Sequence, residues 1–350
     1  MGLLRRNLTR AEFYEPGKGI WRFRGLLPAF SREISLGEGN TPMIEAPALA
    51  ASAGCGRLFI KNEAMNPTGS FKARGMAAAV SRLLDLGAAT GVIPSAGNAG
   101  LALAAYGAAA GLAARIYIPS VTPEGVEEEC LAYGADVRTI EGILPDAAGA
   151  MAEDGLAEGE FAISTFREPG RVEGKKTMAF EIEGDFDGRS PGWVIFPTGG
   201  GTGVVAIWKA YLELRELGWI RGEMPRIAAV QSEGCAPLVR AFEEGAETAS
   251  PWIDPVTIAS GIRVPSSRAD RQVLRALRET GGTAVAVSDE EILGAVRAMA
   301  RSAGIFPSPE GAATLAGLIR LVGTGRIDAR DTVVIINTAD WTRYRFLLGR

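Results

Sequence analysis

Residues 57–94 read RLFIKNEAMNPTGSFKARGMAAAVSRLLDLGAATGVIP, and the hydrophobic period changes twice along them. Arg57 to Asn62 (RLFIKN) is an apolar-centred run bounded by polar residues, the pattern of a strand covered on both faces. The spacing then predicts a helix from Phe71 to Leu86, and Gly87 stands where a left-handed closing residue is wanted. Gly91 to Pro94 is a second short strand. The same unit recurs downstream, with a helix over Leu101 to Ala110 ending at Gly111, a strand over Arg115 to Pro119, a helix over Pro123 to Tyr133 stopped by Gly134, and a strand over Asp136 to Ile140. Later strands at Trp193 to Phe196, Ile227 to Gln231 and Thr332 to Asn337 are separated or followed by helices at Val204 to Leu217, Asp289 to Ala303 and Ala312 to Leu321. This alternation predicts an α/β fold with a mostly parallel sheet and helices on both faces. Gly142 to Gly159 and Gly184 to Gly192 read as loops, and residues 1–34, with Trp21, Arg22 and Phe23, as a packed N-terminal arm.

Composition narrows the chemistry. The chain has 350 residues, 47% of them hydrophobic, which is ample for a large core and argues for about two domains. Its 37 basic and 41 acidic side chains leave a net charge of −4, so no broad basic surface is expected and nucleic acid is not an expected partner. There is no histidine, which removes Ser-His and Cys-His dyads and His-ligated metals and leaves Lys, Tyr and carboxylates as bases. Cys55, Cys130 and Cys235 are odd in number and far apart, so neither a disulfide framework nor a zinc site is expected, and a reducing cytoplasm fits. Arg5, Arg6 and Arg10 are followed by Glu12 and Glu15 rather than by an apolar stretch, so a secretory leader is not expected. The long uncharged run Leu86 to Ala114 contains Pro94, Asn98 and several glycines and reads as strand, turn and helix rather than a membrane span.

Five places in the sequence carry candidate chemistry. In Asn66-Pro67-Thr68-Gly69-Ser70-Phe71-Lys72-Ala73-Arg74-Gly75, Ser70 is a natural N-cap, which puts Lys72 in the first helical turn. A cation there opposes the helix dipole and so is biased toward the neutral amine that Schiff-base chemistry requires; an ordinary solvated lysine is the alternative. Pro94-Ser95-Ala96-Gly97-Asn98 turns from a strand into a helix, where backbone N–H groups can hold an anion such as a carboxylate or can simply make a tight turn. Thr198-Gly199-Gly200-Gly201-Thr202-Gly203 does the same with almost no Cβ atoms, so the backbone can wrap closely around an anion. Its spacing is not that of a dinucleotide fingerprint, and a single phosphate fits better than a pyrophosphate. Thr338 follows the last strand, at the edge where open α/β sheets bind ligands. Arg167 to Lys176 (REPGRVEGKK) reads either as a solvated loop and helix start or as an anion site around Arg171.

Taken together and in order, these segments resemble the fold-type II pyridoxal-phosphate enzymes, most closely the threonine synthases and their relatives, over about residues 35–338. The resemblance implies two open, mostly parallel sheets: a large cofactor domain of residues 1–75 and 161–350, and a smaller mobile substrate domain of residues 76–160. It implies pyridoxal 5'-phosphate as cofactor, with Lys72 as the Schiff-base and catalytic lysine and Asn98 at the ring hydroxyl. Gly199, Gly200, Gly201, Thr202 and Gly203 would hold the phosphate, with Thr338 beside the ring nitrogen. Ser95, Ala96 and Gly97 would orient the substrate carboxylate, and Arg171 the leaving phosphate. Where many threonine synthases have Asp after the lysine and Thr after the asparagine, this chain has Ala73 and Ala99. Where the family typically continues T-G-x-G-L-K, it has Thr338-Ala339-Asp340-Trp341, and Phe166 stands where some members have a small polar residue.

The reaction so implied is conversion of O-phosphohomoserine and water to threonine and phosphate, in a cytoplasmic homodimer. The alternatives are another elimination or replacement at Cβ or Cγ of an amino acid (serine or threonine dehydration, or a cysteate synthase-like replacement on phosphoserine) and a non-catalytic binding protein that keeps the fold.

Overall fold

Parallel strands cannot be joined by tight turns, so each strand must be followed by a crossover that packs on the sheet. The computed structural model describes residues 19–347 and shows this rule followed throughout; residues 1–18 of the expected N-terminal arm lie outside the described residues. In chain order the elements are β1 (Met43–Glu45), α1 (Pro47–Ala53), β2 (Arg57–Asn62), α2 (Lys72–Asp85), β3 (Thr90–Pro94), α3 (Asn98–Ala110), β4 (Ala113–Pro119), α4 (Val126–Ala132), β5 (Asp136–Ile140), α5 (Leu144–Asp154) and β6 (Glu160–Ala162). They continue with α6 (Gly170–Asp185), β7 (Trp193–Pro197), α7 (Thr202–Glu216), β8 (Arg226–Ser232), α8 (Pro237–Glu243), α9 (Asp270–Glu279), β9 (Thr283–Val287), α10 (Asp289–Ala303), α11 (Pro309–Gly323) and β10 (Thr332–Asn337). The fold is α/β with two mostly parallel sheets.

The chain divides into two compact units. One takes Asn66–Thr177 with the described residues before Thr41; the other takes Thr41–Met65 and Met178–Arg345. The segment 76–160 lies wholly inside the first.

The first unit is built on a four-stranded parallel sheet of order β5-β4-β3-β6. Neighbouring residues of a strand face opposite ways, and both faces are covered. Ile93, Ile116 and Ile118 join the apolar side of α2 and α3, whose Met76 to Val80 and Leu101 to Tyr106 are buried. Val92 and Tyr117 point to the other face, against Ala147 and Met151 of α5. That helix lies inside Gly142 to Gly159, which the sequence reading took as a loop. Ala147 and Met151, four residues apart, supply its buried stripe, and the Asp146 carboxylate accepts the Ile143 N–H at 2.7 Å to start it. Of the N-terminal arm, residues 19–26 form a short 3-10 helix in which Ile20, Trp21 and Phe23 are buried, and the Trp21 indole donates to the Ile34 carbonyl at 3.0 Å.

The second unit holds a six-stranded sheet of order β1-β2-β10-β7-β8-β9, parallel except for the short edge strand β1. Its central strands are buried end to end, as in Val333 to Ile336 and Ile227 to Val230. Lys61, near the end of β2, is buried against Glu181 at 2.9 Å and donates to the Thr41 carbonyl at 2.8 Å.

In the first unit α2 and the opening turns of α6 meet almost backbone to backbone. A Cβ on Gly174 would collide with the Arg74 carbonyl oxygen, one on Gly75 would stand 2.6 Å from the Arg171 carbonyl oxygen, and one on Gly170 would stand 2.9 Å from the Ala79 Cα. Only glycine permits that approach. Gly174→Ala is therefore expected to cost at least the ~1–3 kcal/mol typical of overpacking. Gly149→Ala, on the exposed side of α5 with nothing within 4 Å of the new Cβ, should instead stabilise by ~0.5–1 kcal/mol. Urea titration of both variants tests the pair; equal midpoints would contradict this account of the crossing.

Candidate functional site

The segment before α2 is shaped by two consecutive left-handed residues, Thr68 (φ 60°) and Gly69 (φ 66°). A β-branched residue there is strained. Asn66 secures the turn, its side-chain oxygen accepting the Gly39 N–H at 2.9 Å and its carbonyl accepting the Gly69 N–H at 2.9 Å. Ser70 does not cap the helix as its sequence position suggests. It is extended (φ −159°), Phe71 takes the cap position, and α2 starts at Lys72. The reason is the turn itself, which delivers the chain one residue further on. The Ser70 hydroxyl is buried with no hydrogen-bond partner, as is that of Thr68. Lys72 thus keeps its place in the first turn, with no acidic residue beside it there, and its amine lies 4.1 Å from the centre of the Phe71 ring.

Helix α6 opens with a cap that sequence reading missed. The Glu168 carboxylate accepts the Gly170 N–H at 2.7 Å and the Arg82 guanidinium at 2.8 Å. Burial raises the Glu168 carboxyl above its ordinary value, and these partners offset part of the rise. The mixed-charge run that follows is not a solvated face: Arg171, Lys175 and Lys176 are all buried. Arg171 donates to the Ile163 carbonyl at 2.8 Å, and desolvation brings its guanidinium down to about 10. Lys176 pairs with Glu173 at 2.6 Å. Lys175 donates to the Arg171 carbonyl at 3.0 Å. The only signal in the sequence for this burial is the pair of glycines, Gly170 and Gly174, spaced one helical turn apart.

Ser95 to Asn98 forms the turn from the carboxyl end of β3 into α3. Gly97 is the cap residue with φ 141° and ψ −120°, a conformation only glycine adopts freely. The Ser95 hydroxyl accepts the Gly100 N–H at 2.8 Å and donates to the Gly97 carbonyl at 3.2 Å, so it organises the turn from within. Ala96 lies on this turn, and Asn98 is the first residue of α3.

In the second unit two of the expected groups come together. β7 and β10 are parallel neighbours, so the glycine-rich turn after β7 and Thr338 after β10 lie at the same carboxyl edge of the sheet. Thr338 is buried. Gly201 caps α7 in a left-handed conformation (φ 80°), and a Cβ on it would stand 2.5 Å from Val273 Cγ2. A Cβ on Gly199 would stand 2.8 Å from Val264 Cγ2, and one on Gly203 would run into the Phe196 ring. The Gly200 carbonyl accepts the Ser267 hydroxyl at 3.1 Å, and Gln231 donates to the Thr198 carbonyl at 3.0 Å, pinning the start of the turn. The first backbone bond of α7 is Val205 N–H to the Gly201 carbonyl, which leaves the N–H groups of Thr202, Gly203 and Val204 for an acceptor outside the helix.

Beyond Thr338 the chain is held by aromatic packing. Trp341 is buried 4.9 Å from the Phe306 ring and 6.2 Å from Tyr344, and the Ala339 carbonyl accepts the Ser308 N–H at 3.0 Å. Tyr344 donates to the buried Glu310 carboxylate at 2.6 Å, where the Gly261 N–H also donates at 2.6 Å.

These groups fit pyridoxal phosphate on their chemistry. A Cβ-free turn with N–H groups to spare suits one phosphate, a helix-start lysine suits an aldehyde, and the buried, unpartnered Ser70 hydroxyl beside it is a polar group awaiting a ligand. Among the described residues no group of His, Cys, Asp and Glu could hold a metal ion, and no helix is long and apolar enough to cross a membrane.

Comparison with known proteins agrees with this chemistry. The family model for pyridoxal-phosphate dependent enzymes matches residues 34–339. The chain is 38% identical to a threonine synthase of Methanosarcina acetivorans over 91% of its own length and 78% of the relative's. It is 35% identical to a threonine synthase of Mycobacterium tuberculosis over 93% and 89% respectively. Among solved structures, threonine deaminase isoform 2 of Solanum lycopersicum shares the fold with a TM-score of 0.74 at 22% identity, covering 88% of this chain and 87% of that one. With its fold, its lysine helix and its relatives in agreement, this chain belongs to the fold-type II pyridoxal-phosphate dependent enzymes, in the threonine synthase-like group.

Proposed function

We propose that the protein converts O-phosphohomoserine and water to threonine and phosphate, as a cytoplasmic homodimer with residues 76–160 as its mobile substrate domain. The observation that carries the phosphorylated substrate is Arg171: a buried guanidinium with one carbonyl partner and no ion pair among the described residues. Such a group is incompletely satisfied by the protein and suits a dianionic leaving group. The likeness to threonine synthases supports the same reading.

Bound pyridoxal phosphate supplies the electron sink that acidifies the substrate Cα–H. The chain's own residues do the rest. The Thr202, Gly203 and Val204 N–H groups, with Gly199 to Gly201, would hold the cofactor phosphate. Lys72 would hold the cofactor through its amine and, as a free amine, would serve as general base at the substrate Cα. Asn98 would hold the ring hydroxyl. Thr338 would stand beside the ring nitrogen with a hydroxyl too weakly acidic to protonate it, which suits elimination and replacement better than transamination. The Ser95, Ala96 and Gly97 turn orients the substrate carboxylate, and Arg171 stabilises departing phosphate.

Three measurements test this. Borohydride reduction of the holoenzyme and peptide mapping should place the pyridoxyl group on Lys72; its appearance on Lys61, Lys175 or Lys176 would overturn the assignment. Thr338→Asp should protonate the ring, slowing turnover and increasing side reactions, whereas parent-like behaviour of Thr338→Asp and Thr338→Ala would remove Thr338 from the ring. Arg171→Ala should lower kcat/KM for phosphohomoserine by ~10–100-fold, the scale of a charged hydrogen bond of ~1.5–3 kcal/mol, and leave turnover of serine nearly unchanged. If serine were the better parent substrate and the substitution silent, phosphate departure would not be the reaction.

A further inference from the structure

We propose that the cleft along the free edge of β9 binds a free α-amino acid with an apolar side chain, at a site separate from the sheet edge that bears Thr338. β9 ends the six-stranded sheet, so one side of it has no strand partner. The register decides which backbone groups face that side. β8 and β9 are parallel, with Val230 opposite Val285 and Ser232 opposite Val287, and the Glu233 N–H donates to the Val287 carbonyl at 2.9 Å. Alternate residues of a strand bond to the same neighbour. Thr283, Val285 and Val287 therefore bond to β8, while Ala284 and Ala286 turn their N–H and C=O groups to the free edge. There the Arg320 guanidinium donates to the Ala286 carbonyl at 2.8 Å, and the Thr283 hydroxyl to the Ala284 carbonyl at 3.4 Å. Both outward carbonyls are thus taken, and two N–H donors remain. An added strand needs donors and acceptors in alternation, so this edge is a poor template for a peptide and a good one for a small acceptor.

A cavity of about 630 Å³ lies against this edge, a volume within the range of small-molecule sites. All of its lining belongs to the second unit. Val239, Trp252, Val285 and Leu321 give it an apolar side. Trp252 is set there by Arg240, whose guanidinium lies 5.0 Å from the ring centre and donates to the Ser250 and Pro251 carbonyls at 2.9 and 3.2 Å. Charges of both signs complete the lining. Arg320 is engaged by Glu291 at 2.6 Å and Glu233 at 2.7 Å. Arg326, just beyond α11, and Glu243, at the end of α8, make no side-chain hydrogen bond or ion pair with the described residues.

Each part of this lining suits a different chemical group. Two N–H donors and a guanidinium suit a carboxylate, the Glu243 carboxylate suits an ammonium, and the apolar side suits a hydrocarbon chain. A free apolar amino acid carries all three. A plain carboxylic acid would leave Glu243 without a partner, and a plain amine would leave Arg326 so. Helix α11 shows the separation from the cofactor edge. Its opening turn lies against Asn337 through Gly311, whereas Arg320, in the cavity lining, is about 15 Å along the helix axis from Glu310.

Amino acids also react with a pyridoxal aldehyde, so the experiment uses holoenzyme reduced with borohydride, in which that reaction is closed. Calorimetric titration with L-leucine and L-phenylalanine should show saturable binding of at least one of them. The acid and the amine that each lack one charge of leucine, 4-methylpentanoate and isopentylamine, should bind at least about tenfold more weakly, the scale of one charge-assisted hydrogen bond. Arg326→Gln and Glu243→Gln should each weaken amino-acid binding by about the same factor, and Val285→Trp should abolish it by filling the cavity. The first two substitutions are at exposed positions, so they decide the matter even if Val285→Trp fails to fold. No saturable binding of either amino acid up to ~10 mM would overturn the proposal. So would binding that both charge substitutions leave unchanged, or 4-methylpentanoate binding as tightly as leucine. The reduced cofactor is fixed whichever lysine holds it, so this outcome is independent of the role of Lys72.

Discussion

Where α2 crosses α6, the Arg74 carbonyl oxygen occupies the space that a side chain at position 174 would fill, and the Arg171 carbonyl occupies that of position 75. Much of the chemistry of the first unit follows from this contact. Two helices at ordinary separation, about 8–10 Å between axes, leave room for their polar side chains to reach water. Brought backbone to backbone by Gly75, Gly170 and Gly174, they cannot, and the cations carried on the facing turns are desolvated: Arg74, Arg171 and Lys175 are each nearly or fully inaccessible. Burying a basic side chain costs on the order of several kcal/mol unless it is paired or gives up its proton. A crossing packed for stability alone would carry apolar residues here.

The same device, a missing Cβ, serves a different end in the second unit. At Gly199, Gly201 and Gly203 it lets the strand-to-helix turn sit hard against Val264, Val273 and the Phe196 ring. The turn is thereby fixed from behind while its N–H groups stay free in front. An anion-binding turn built on flexible glycines would lose affinity to ordering entropy. The turn here is ordered by packing, with Gln231 holding Thr198 and Ser267 holding Gly200.

How far the sequence revealed all this depends on the range of the interaction involved. Strands β2, β5 and β10 and helix α10 have the limits that periodicity predicts, because buried runs and caps are local signals. Helices α3, α7 and α11 begin two or three residues earlier than predicted, at Asn98, Thr202 and Pro309, because glycine- and proline-rich openings are tolerated in a first turn whose N–H groups lack helical partners in any case. Helix α5 was hidden by its alanines and its one glycine, which carry little apolar contrast. The glycine turn before α7 was legible as a turn, because a run of glycines is a local signal. The burial of Arg167 to Lys176 was not, because it is set by a contact between residues about a hundred positions apart, and a run of mixed charge looks solvated until its partner helix is known.

The turn after Thr338 shows how bulky side chains are accommodated at the edge of a sheet. A bulky indole such as Trp341 beside a sheet edge would ordinarily crowd any ligand there. Here the Trp341 ring is drawn onto Phe306 and Tyr344 and buried in its own unit. That packing aims the Tyr344 hydroxyl at Glu310, and burial together with the Glu310 charge keeps the phenol protonated as a donor. Glu310 Oε1 is thus held by Tyr344 and the Gly261 N–H, while its other oxygen is buried with no partner. The adjoining Gly311 lies against the Asn337 side chain, whose Oδ1 is likewise buried and unpartnered. The aromatic cluster of Phe306, Trp341 and Tyr344 thus fixes a carboxylate next to the strand end bearing Thr338.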